Sequence, residues 1–298
     1  MSSTVIGDVS EQVQKFWSPT MTEELKESNI LASLLSRDYE GDLKKGGDTV
    51  YVSQVKRPNA ERKNTSAGDN TFGSQKMTTE RIAIKADQRI TASFKLEDLI
   101  GLQSQIEIEN NGGPDSKIKQ ALTEALEINL NSYLYSLISP SASAPDHTVT
   151  SVADFTFAEL KNISTLASQA KWAGRGQDWY SLLDPMYYHD LLDETQMNNA
   201  DTADERPLVA GRFGTNRMGF NIFEDNSEGI LSLSGSSQDS GIFFHKDFMH
   251  LVMQKQPEFK ISDLHANQQH GFLISVDMIV GGKLGIEGAK KHISVINS

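Results

Sequence analysis

The side chains best suited to chemistry in this sequence are its seven histidines, but their spacing argues against a shared site. They are His147, His189, His245, His250, His265, His270 and His292. None belongs to an HxH or HExxH motif, the spacings that place two imidazoles on one metal ion. His245 and His250 lie five residues apart in a segment predicted to be one strand, so their side chains should point to opposite faces. We therefore expect packing or surface roles for the histidines.

Candidate nucleophiles are equally isolated. The motif SxxK occurs three times, at Ser53/Lys56, Ser116/Lys119 and Ser168/Lys171. The KTG and SDN motifs that complete a serine acyl-transfer site are absent from the sequence, as is GxSxG. Three unrelated matches to a four-residue pattern are best explained by chance.

Two further segments could bind a nucleotide or a cation. The glycines of "GRFGTNRMG" (residues 211–219) do not have GxGxxG spacing, and a predicted strand rather than a helix follows them. The acidic residues 201–205 lack the loop glycine and terminal glutamate of an EF-hand. The sequence therefore predicts no catalytic residue, no cofactor and no metal site.

Composition indicates a folded, soluble protein. The chain has 298 residues, of which 38% are hydrophobic and 23% charged, enough for a sizeable core. The absence of cysteine removes disulfides, thiolate catalysis and zinc–thiolate sites. The first 17 residues do not have the pattern of a signal peptide, and no apolar run approaches membrane-spanning length. We expect synthesis in the cytosol and no membrane partner.

Charge is unevenly distributed over this acidic chain. The net charge of -12 argues against a surface that binds nucleic acid throughout. Residues 56–95 nevertheless carry nine basic and four acidic side chains, whereas residues 154–206 carry ten acidic and four basic ones. These stretches are either two solvated faces or two surfaces that meet a partner of opposite charge.

The elements that hold these residues alternate between strands and helices without regular βαβ units, which predicts an α+β fold. A hydrophobic strand at residues 49–52 leads into about twenty polar residues, and a return strand at residues 81–94 alternates apolar and polar side chains, so only one face of this hairpin should be buried. A long helix between Pro114 and Pro140 carries an apolar stripe. The stripe consists of Ile118, Leu122, Leu126, Leu130, Leu134 and Leu137.

A Ser/Pro/Ala-rich segment at residues 139–151 predicts a loop and a domain boundary. After it, residues 157–172 form a predicted helix, "DWYSLLDP" a buried strand and "MYYHDLLDE" a helix. Further strands are predicted at "MGFNIFED", "GIFFHKDFMHLVMQ", "GFLISVDMIVGGKLGI" and "KKHISVI".

The order of these elements resembles that of tailed-bacteriophage major capsid proteins with the Hong Kong 97-like fold. The resemblance spans nearly the whole chain, and it is carried by the following phrases: "NILASLLSRDYEGDLKKGGDTVYV", "KIKQALTEALEINLNSYLYSLI", "WYSLLDPMYYHDLL", "LVAGRFGTNRMGFNIFEDN" and "HGFLISVDMIVGGKLGIEGAKKHISVI". None of these phrases is a catalytic signature.

The resemblance implies a domain organisation and a set of partners. Residues 1–44 would be an N-terminal arm, 45–95 the E-loop hairpin, 96–150 the peripheral domain with its spine helix at 114–139, 151–260 the axial domain, and 261–298 strands that return to the shared core. The chain would assemble with itself into the hexamers and pentamers of an icosahedral shell. Scaffolding and portal proteins, and packaged DNA bound without sequence specificity, would be its other partners, and the virion its final location.

In that family the E-loop reaches onto a neighbouring subunit, which predicts the contact residues. The cations that we expect to contact a neighbour are Arg57, Arg62, Lys63, Lys76 and Arg81. Their possible acidic counterparts are Glu107, Glu109, Glu124 and Glu127, or the acidic stretch at residues 154–206. Lys63 and Lys76 match no cross-linking motif, so covalent linkage is not expected.

Three alternatives remain on sequence grounds. The chain could be another structural protein of the virion, a cytosolic binding protein without catalytic activity, or an enzyme. An enzyme would need a convergent pocket, and a monomeric binding protein would leave the hairpin free in solution.

Overall fold

The computed structural model describes residues 30–39, 48–64, 71, 73–97, 117–138, 147–149, 154–198, 216–234, 239–264 and 270–297. The chain forms two compact units. One comprises Met1–Lys26, Ala92–Ala125 and Phe259–Val276, and the other Glu27–Thr91, Leu126–Glu258 and Asp277–Ser298. Since four of the longer elements cross the borders of these units, the domain boundaries implied by the resemblance remain predictions.

The helices and strands alternate irregularly along the chain, as the α+β prediction requires. The helices are α1 (Leu31–Leu34), α2 (Lys117–Ile138), α3 (Phe157–Gln169), α4 (Pro185–Asp193), α5 (Thr195–Asn198) and α6 (Glu228–Leu231). The strands are β1 (Thr49–Val55), β2 (Thr79–Lys85), β3 (Gln88–Glu97), β4 (His147–Val149), β5 (Trp179–Leu183), β6 (Asn221–Glu224), β7 (Ser240–His245), β8 (Met249–Asp263), β9 (Gly271–Leu284) and β10 (His292–Ile296).

The hydrophobic core of the larger unit forms around a mixed five-stranded sheet of order β4-β10-β7-β5-β6. β10 pairs with β4 in parallel and with β7 in antiparallel orientation, and β5 pairs antiparallel with β7 and parallel with β6. α3 and α4 contribute to the core through their apolar faces, including Leu160 and Tyr187. Rings from the sheet and loops pack edge to face or tilted inside it, with Trp179 and Phe220 at 5.2 Å between centroids.

Local sequence explains where the two core helices begin. Thr156 precedes α3, and its hydroxyl accepts a hydrogen bond from the Glu159 N–H at 3.4 Å. Asp184 precedes α4 in the same way, accepting from the Tyr187 N–H at 3.0 Å, with Pro185 in the first turn. Both helices were predicted from their apolar patterns, although α3 ends at Gln169 rather than at residue 172 and α4 begins at Pro185, which was assigned to the end of the preceding strand.

The long helix α2 confirms the predicted stripe. Leu122, Leu126, Leu130 and Leu134 are each at most 5% exposed, whereas Leu137 is only partly buried and the neighbouring Ile138 is buried instead. The side chain of Ile118 and the residues that precede the helix lie outside the described residues. Near the end of α2, the Tyr133 hydroxyl accepts a hydrogen bond from the Gly282 N–H of β9 at 3.2 Å.

Three predictions about strands are wrong. The return arm of the hairpin is two strands, because β2 pairs with β1 while β3 belongs to a separate sheet of order β3-β9-β8. Gly281 of β9 lies so close to the Lys85 carbonyl that a Cβ at that position would overlap it. The chain therefore changes sheets at residues 86–87.

The segment that holds His245 and His250 is also two strands, β7 and β8, separated by a 3-10 turn at Lys246–Phe248. The expectation that the two rings alternate on one strand is therefore wrong. Likewise, the predicted loop at residues 139–151 contains β4, which pairs with β10 nearly 150 residues later in the chain.

Candidate inter-subunit surface

The β1–β2 hairpin (residues 49–85) is the element that the sequence predicted to meet a partner. Its two strands pair antiparallel from Thr49↔Lys85 to Val55↔Thr79. The pairing continues outward through the Lys56 N–H, which donates to the Thr78 carbonyl at 2.9 Å. Beyond it, the Gln75 side chain accepts from the Asn59 N–H at 2.9 Å and donates to the Asn59 carbonyl at 3.2 Å. Side-chain contacts thus order the distal part of the hairpin where regular strand pairing ends.

The two faces of the hairpin differ in burial. Residues directly opposite in the register share a face, which places Val50 with Ile84 and Val52 with Ile82. On this face Ile84 is fully buried and the others are partly buried, so it packs against its own chain. The predicted burial of a single face is confirmed at the base of the hairpin.

The opposite face leaves large apolar side chains in solvent. Tyr51 is 66% exposed and Val55 59% exposed on β1. Met77, two residues before β2, is 72% exposed. We refer to Tyr51, Val55 and Met77 as the apolar patch of the hairpin. Sequence reasoning missed this patch, although residues 51 and 55 have the same parity in a strand and so could have been assigned to one face.

Two of the predicted contact cations, Arg81 and Lys63, already have partners within the hairpin. The Arg81 guanidinium lies over the Tyr51 ring at 5.4 Å from its centroid, which orients both side chains at the apolar patch. The Lys63 ammonium donates to the Thr71 carbonyl, and Lys56 forms an ion pair with Glu80. The other three predicted cations, Arg57, Arg62 and Lys76, are exposed along the same hairpin.

The predicted acidic counterparts are spread over the chain. Glu127 is exposed and Glu124 partly exposed on α2. Glu107, Glu109 and the acidic residues 201–205 lie outside the described residues. Contact between these acids and the hairpin of another subunit remains a prediction, because the structure describes one copy of the chain.

Two of the segments considered for chemistry, those of Ser168 and Gly219, are occupied by hydrogen bonds within the fold. The Ser168 hydroxyl donates to the Ser164 carbonyl at 2.9 Å within α3. Beside Gly219, the Arg175 guanidinium donates to the Met218 carbonyl and the Ser164 hydroxyl, both at 3.2 Å, and so occupies the space at this glycine. Within the described residues, no group of three His, Asp or Glu side chains is arranged to hold a metal ion. None of the helices in that part of the chain is long and apolar enough to cross a membrane.

A family model described as phage capsid protein matches residues 136–290, just over half of the chain. The chain belongs to the phage capsid protein family. The match covers the strands β4 to β9 of this capsid protein, including β5, β6 and β7, which contribute to the core. This family membership confirms the predicted role of the chain as a subunit of the phage shell.

Solved structures extend the likeness to the full length of the capsid protein. A structure from Mycobacterium phage Che8 has a TM-score of 0.73 at 18% identity, covering 95% of this chain and 96% of that one. The cyanophage Pam1 capsid has a TM-score of 0.74 at 14% identity, covering 99% and 98%. The capsid of the Helicobacter pylori bacteriophage KHP30 has a TM-score of 0.69 at 8% identity, covering both chains fully. At such identities the likeness concerns the fold, and among curated proteins no sequence matches this chain.

Proposed function

We propose that this chain is the major capsid protein of a tailed phage, that it assembles with itself into an icosahedral shell around a double-stranded DNA genome, and that its β1–β2 hairpin rests on a neighbouring subunit. Membership of the phage capsid protein family supports the first part. The observation that supports docking of the hairpin on a neighbour is the apolar patch formed by Tyr51, Val55 and Met77.

The patch has the properties of a surface that becomes buried on assembly. Burial of a large apolar side chain contributes roughly 1.5 to 3 kcal/mol, so partial burial of three such residues contributes several kcal/mol for each subunit. The base of the hairpin is already fixed by Ile84 and by strand pairing. A hairpin that is ordered before it docks loses less conformational entropy when the neighbour covers it.

Charge complementarity supports the same contact. Arg57, Arg62 and Lys76 project from the hairpin of an acidic protein. On the neighbour they would meet Glu107, Glu109, Glu124 and Glu127, or the acidic residues 154–206. Exposed ion pairs contribute roughly 0 to 1 kcal/mol each, so these contacts would orient the hairpin more than stabilise it.

The structural elements then take the following roles. The hairpin is the E-loop, α2 is the spine helix of the peripheral domain, and residues 151–260 form the axial domain. Subunits made in the host cytoplasm form hexamers and pentamers with scaffolding and portal proteins, and contact DNA without reading its sequence. Membership of the phage capsid protein family supports a structural rather than a catalytic role.

Substitution of the apolar patch tests the docking of the hairpin. We expect Tyr51→Ser combined with Val55→Ser to leave the circular dichroism spectrum unchanged but to reduce the yield of shells in sedimentation. Met186→Ser is the matched control, because Met186 is 60% exposed on α4, outside the hairpin. Equal shell yields from the two variants would show that the hairpin does not bind through this face.

A further inference from the structure

The segment of residues 30–39 is attached to β8 at His250. Ser36 and His250 form a parallel β-bridge, and the Leu251 N–H donates to the Ser36 carbonyl at 3.1 Å. The Tyr39 ring stands edge-on to the His250 imidazole, with 5.0 Å between the ring centroids. At the other end of the segment, Leu31 and Leu35 are buried. The segment thus has an apolar attachment at its start and a polar attachment centred on one histidine.

His250 is held in surroundings that suit its neutral form. The residue is 9% exposed, and its Nδ1 has no hydrogen-bond partner in the described part of the chain. Burial lowers the pKa of His250 from its ordinary 6.5, which outweighs the opposite effect of Asp247 and Asp38, while Lys291 lowers the pKa further. These charged groups come from the 3-10 turn before β8, from the segment itself and from the turn before β10. In the protonated ring Nδ1 carries an N–H, which would be buried without an acceptor.

Asp38 is the acidic residue of the segment whose charge raises the pKa of His250 and so favours the protonated ring. Its Oδ2 already accepts a hydrogen bond from the Ser36 hydroxyl at 2.7 Å, which stabilises the turn at residues 36–39. If Asp38 moved to pair with a charged His250, that turn would lose its internal hydrogen bond. If it did not move, the buried charge would disfavour the docked position of Tyr39. Either outcome disturbs residues 36–39 and spares the apolar attachment of Leu31 and Leu35.

We propose that His250 is a proton-sensitive attachment point, at which uptake of a proton from solvent by the imidazole loosens residues 36–39 from β8. The direction of the pH dependence follows because the docked state of residues 36–39 favours the neutral imidazole. The attachment is intact above pH 6.5 and weakens as pH falls below it. Acid therefore loosens residues 36–39 while Leu31 and Leu35 stay buried, independently of whether the hairpin docks on a neighbour.

A second histidine, His245, precedes the 3-10 turn Lys246–Phe248, and its pKa is lowered like that of His250. His245 Nδ1 accepts a hydrogen bond from the Asp247 N–H at 3.1 Å and so caps the turn Lys246–Phe248. Burial lowers the pKa of His245; Asp247 and Asp178 raise it, and Lys291 lowers it. The experiment must therefore separate His250 from its neighbours by substitution rather than by pH alone.

A fluorescent label at position 37 reports on the attachment directly. The chain contains no cysteine, so Arg37→Cys, at an exposed position, gives one labelling site on the full-length protein. We expect label anisotropy to fall as pH is lowered from about 8 to about 5, with a midpoint below 6.5. The His250→Gln variant should lose this step, and His250→Phe, which keeps a ring without an ionisable nitrogen, should lose it too.

Two controls distinguish local loosening from other acid effects. His189→Gln, at an exposed histidine on α4, and Asp184→Asn, which removes a buried acid that titrates at about pH 6, should both keep the step. A label at Lys161→Cys on α3 should show no change over this range. A flat profile in the parent protein, an unchanged step in His250→Phe, or a simultaneous change at position 161 would each overturn the proposal.

Discussion

The Tyr135 hydroxyl donates a hydrogen bond to Asp225 Oδ2 at 2.5 Å, and both residues are almost completely buried. The other carboxylate oxygen of Asp225 accepts from the Ser227 N–H at 2.9 Å. Gly229 lies against the Tyr135 ring, where a Cβ would overlap the ring edge. Tyr135 on α2 is therefore fixed to the loop before α6 by one hydrogen bond and by close packing. Burial raises the pKa of both the phenol and the carboxyl group.

Loss of the Tyr135 hydroxyl should destabilise the protein. Tyr135→Phe leaves a buried Asp225 oxygen without its donor, which typically costs about 1 to 3 kcal/mol of unfolding free energy. The measurement is denaturant unfolding at neutral pH, with Tyr51→Phe as the control because Tyr51 is exposed. A Tyr135→Phe variant as stable as the control would mean that the hydrogen bond contributes nothing.

Replacement of a buried leucine in α2 should prevent correct folding. Leu126 is 1% exposed, so Leu126→Asp places an unpaired charge in the core and costs several kcal/mol. We expect insoluble protein and no shells. Asn129→Asp adds the same carboxylate at an exposed position of the same helix and should assemble normally. Soluble, assembling Leu126→Asp protein would show that the leucine stripe is not a core face.

Stability should depend on pH through Asp184. Burial raises its pKa from 3.8 to about 6, with Asp239 and Asp190 adding to the shift. Because the folded state binds this proton more tightly, the stabilisation is complete below pH 3.8 and is lost as pH rises through about 6. Asp184→Asn keeps the oxygen that caps α4 and removes the titration.

The difference in unfolding free energy between the parent protein and Asp184→Asn isolates this effect from the histidines, which act in the opposite direction. We expect this difference to change by on the order of 2 kcal/mol between about pH 4 and pH 7, in favour of the variant at the higher pH. A pH-independent difference would show that Asp184 has an ordinary pKa.

Charge reversal in the hairpin should weaken assembly without unfolding the subunit. Arg57→Glu with Arg62→Glu replaces cations with like charges opposite an acidic neighbour, and leaves Lys63 in its contact with Thr71. We expect lower shell yield and a loss of the decrease in association with added salt, since salt screens exposed charges beyond about 8 to 10 Å.

The matched control is Lys161→Glu with Lys283→Glu, which reverses the same number of exposed charges outside the hairpin. Both double variants are compared across one salt series, with subunit folding measured separately. Equal assembly by the two would indicate that the basic residues of the hairpin are simply solvated.

Elements with strong local signals could be predicted from the sequence. The leucine stripe and the flanking prolines identified α2, and the apolar pattern of "MYYHDLLDE" identified α4. The failures came from long-range contacts. β4 exists because it pairs with β10, and β2 and β3 separate where β9 crosses at Gly281. Nothing in the local sequence encodes such partners.

The candidate surface was predictable only in part. Charge counting identified the basic hairpin, but Arg81 and Lys63 turned out to have partners within it. Its apolar patch follows from the pairing register, which sets Tyr51 and Val55 on the face opposite Ile84. The register depends on which strand pairs with β1 and therefore needed the structure.

Electron microscopy of the purified protein under assembly conditions is the decisive experiment on shell formation. We expect closed icosahedral shells, with density for the β1–β2 hairpin crossing onto the adjacent subunit and covering Tyr51 and Val55. Particles that never form, or shells in which the hairpin projects into solvent with Tyr51 uncovered, would contradict it.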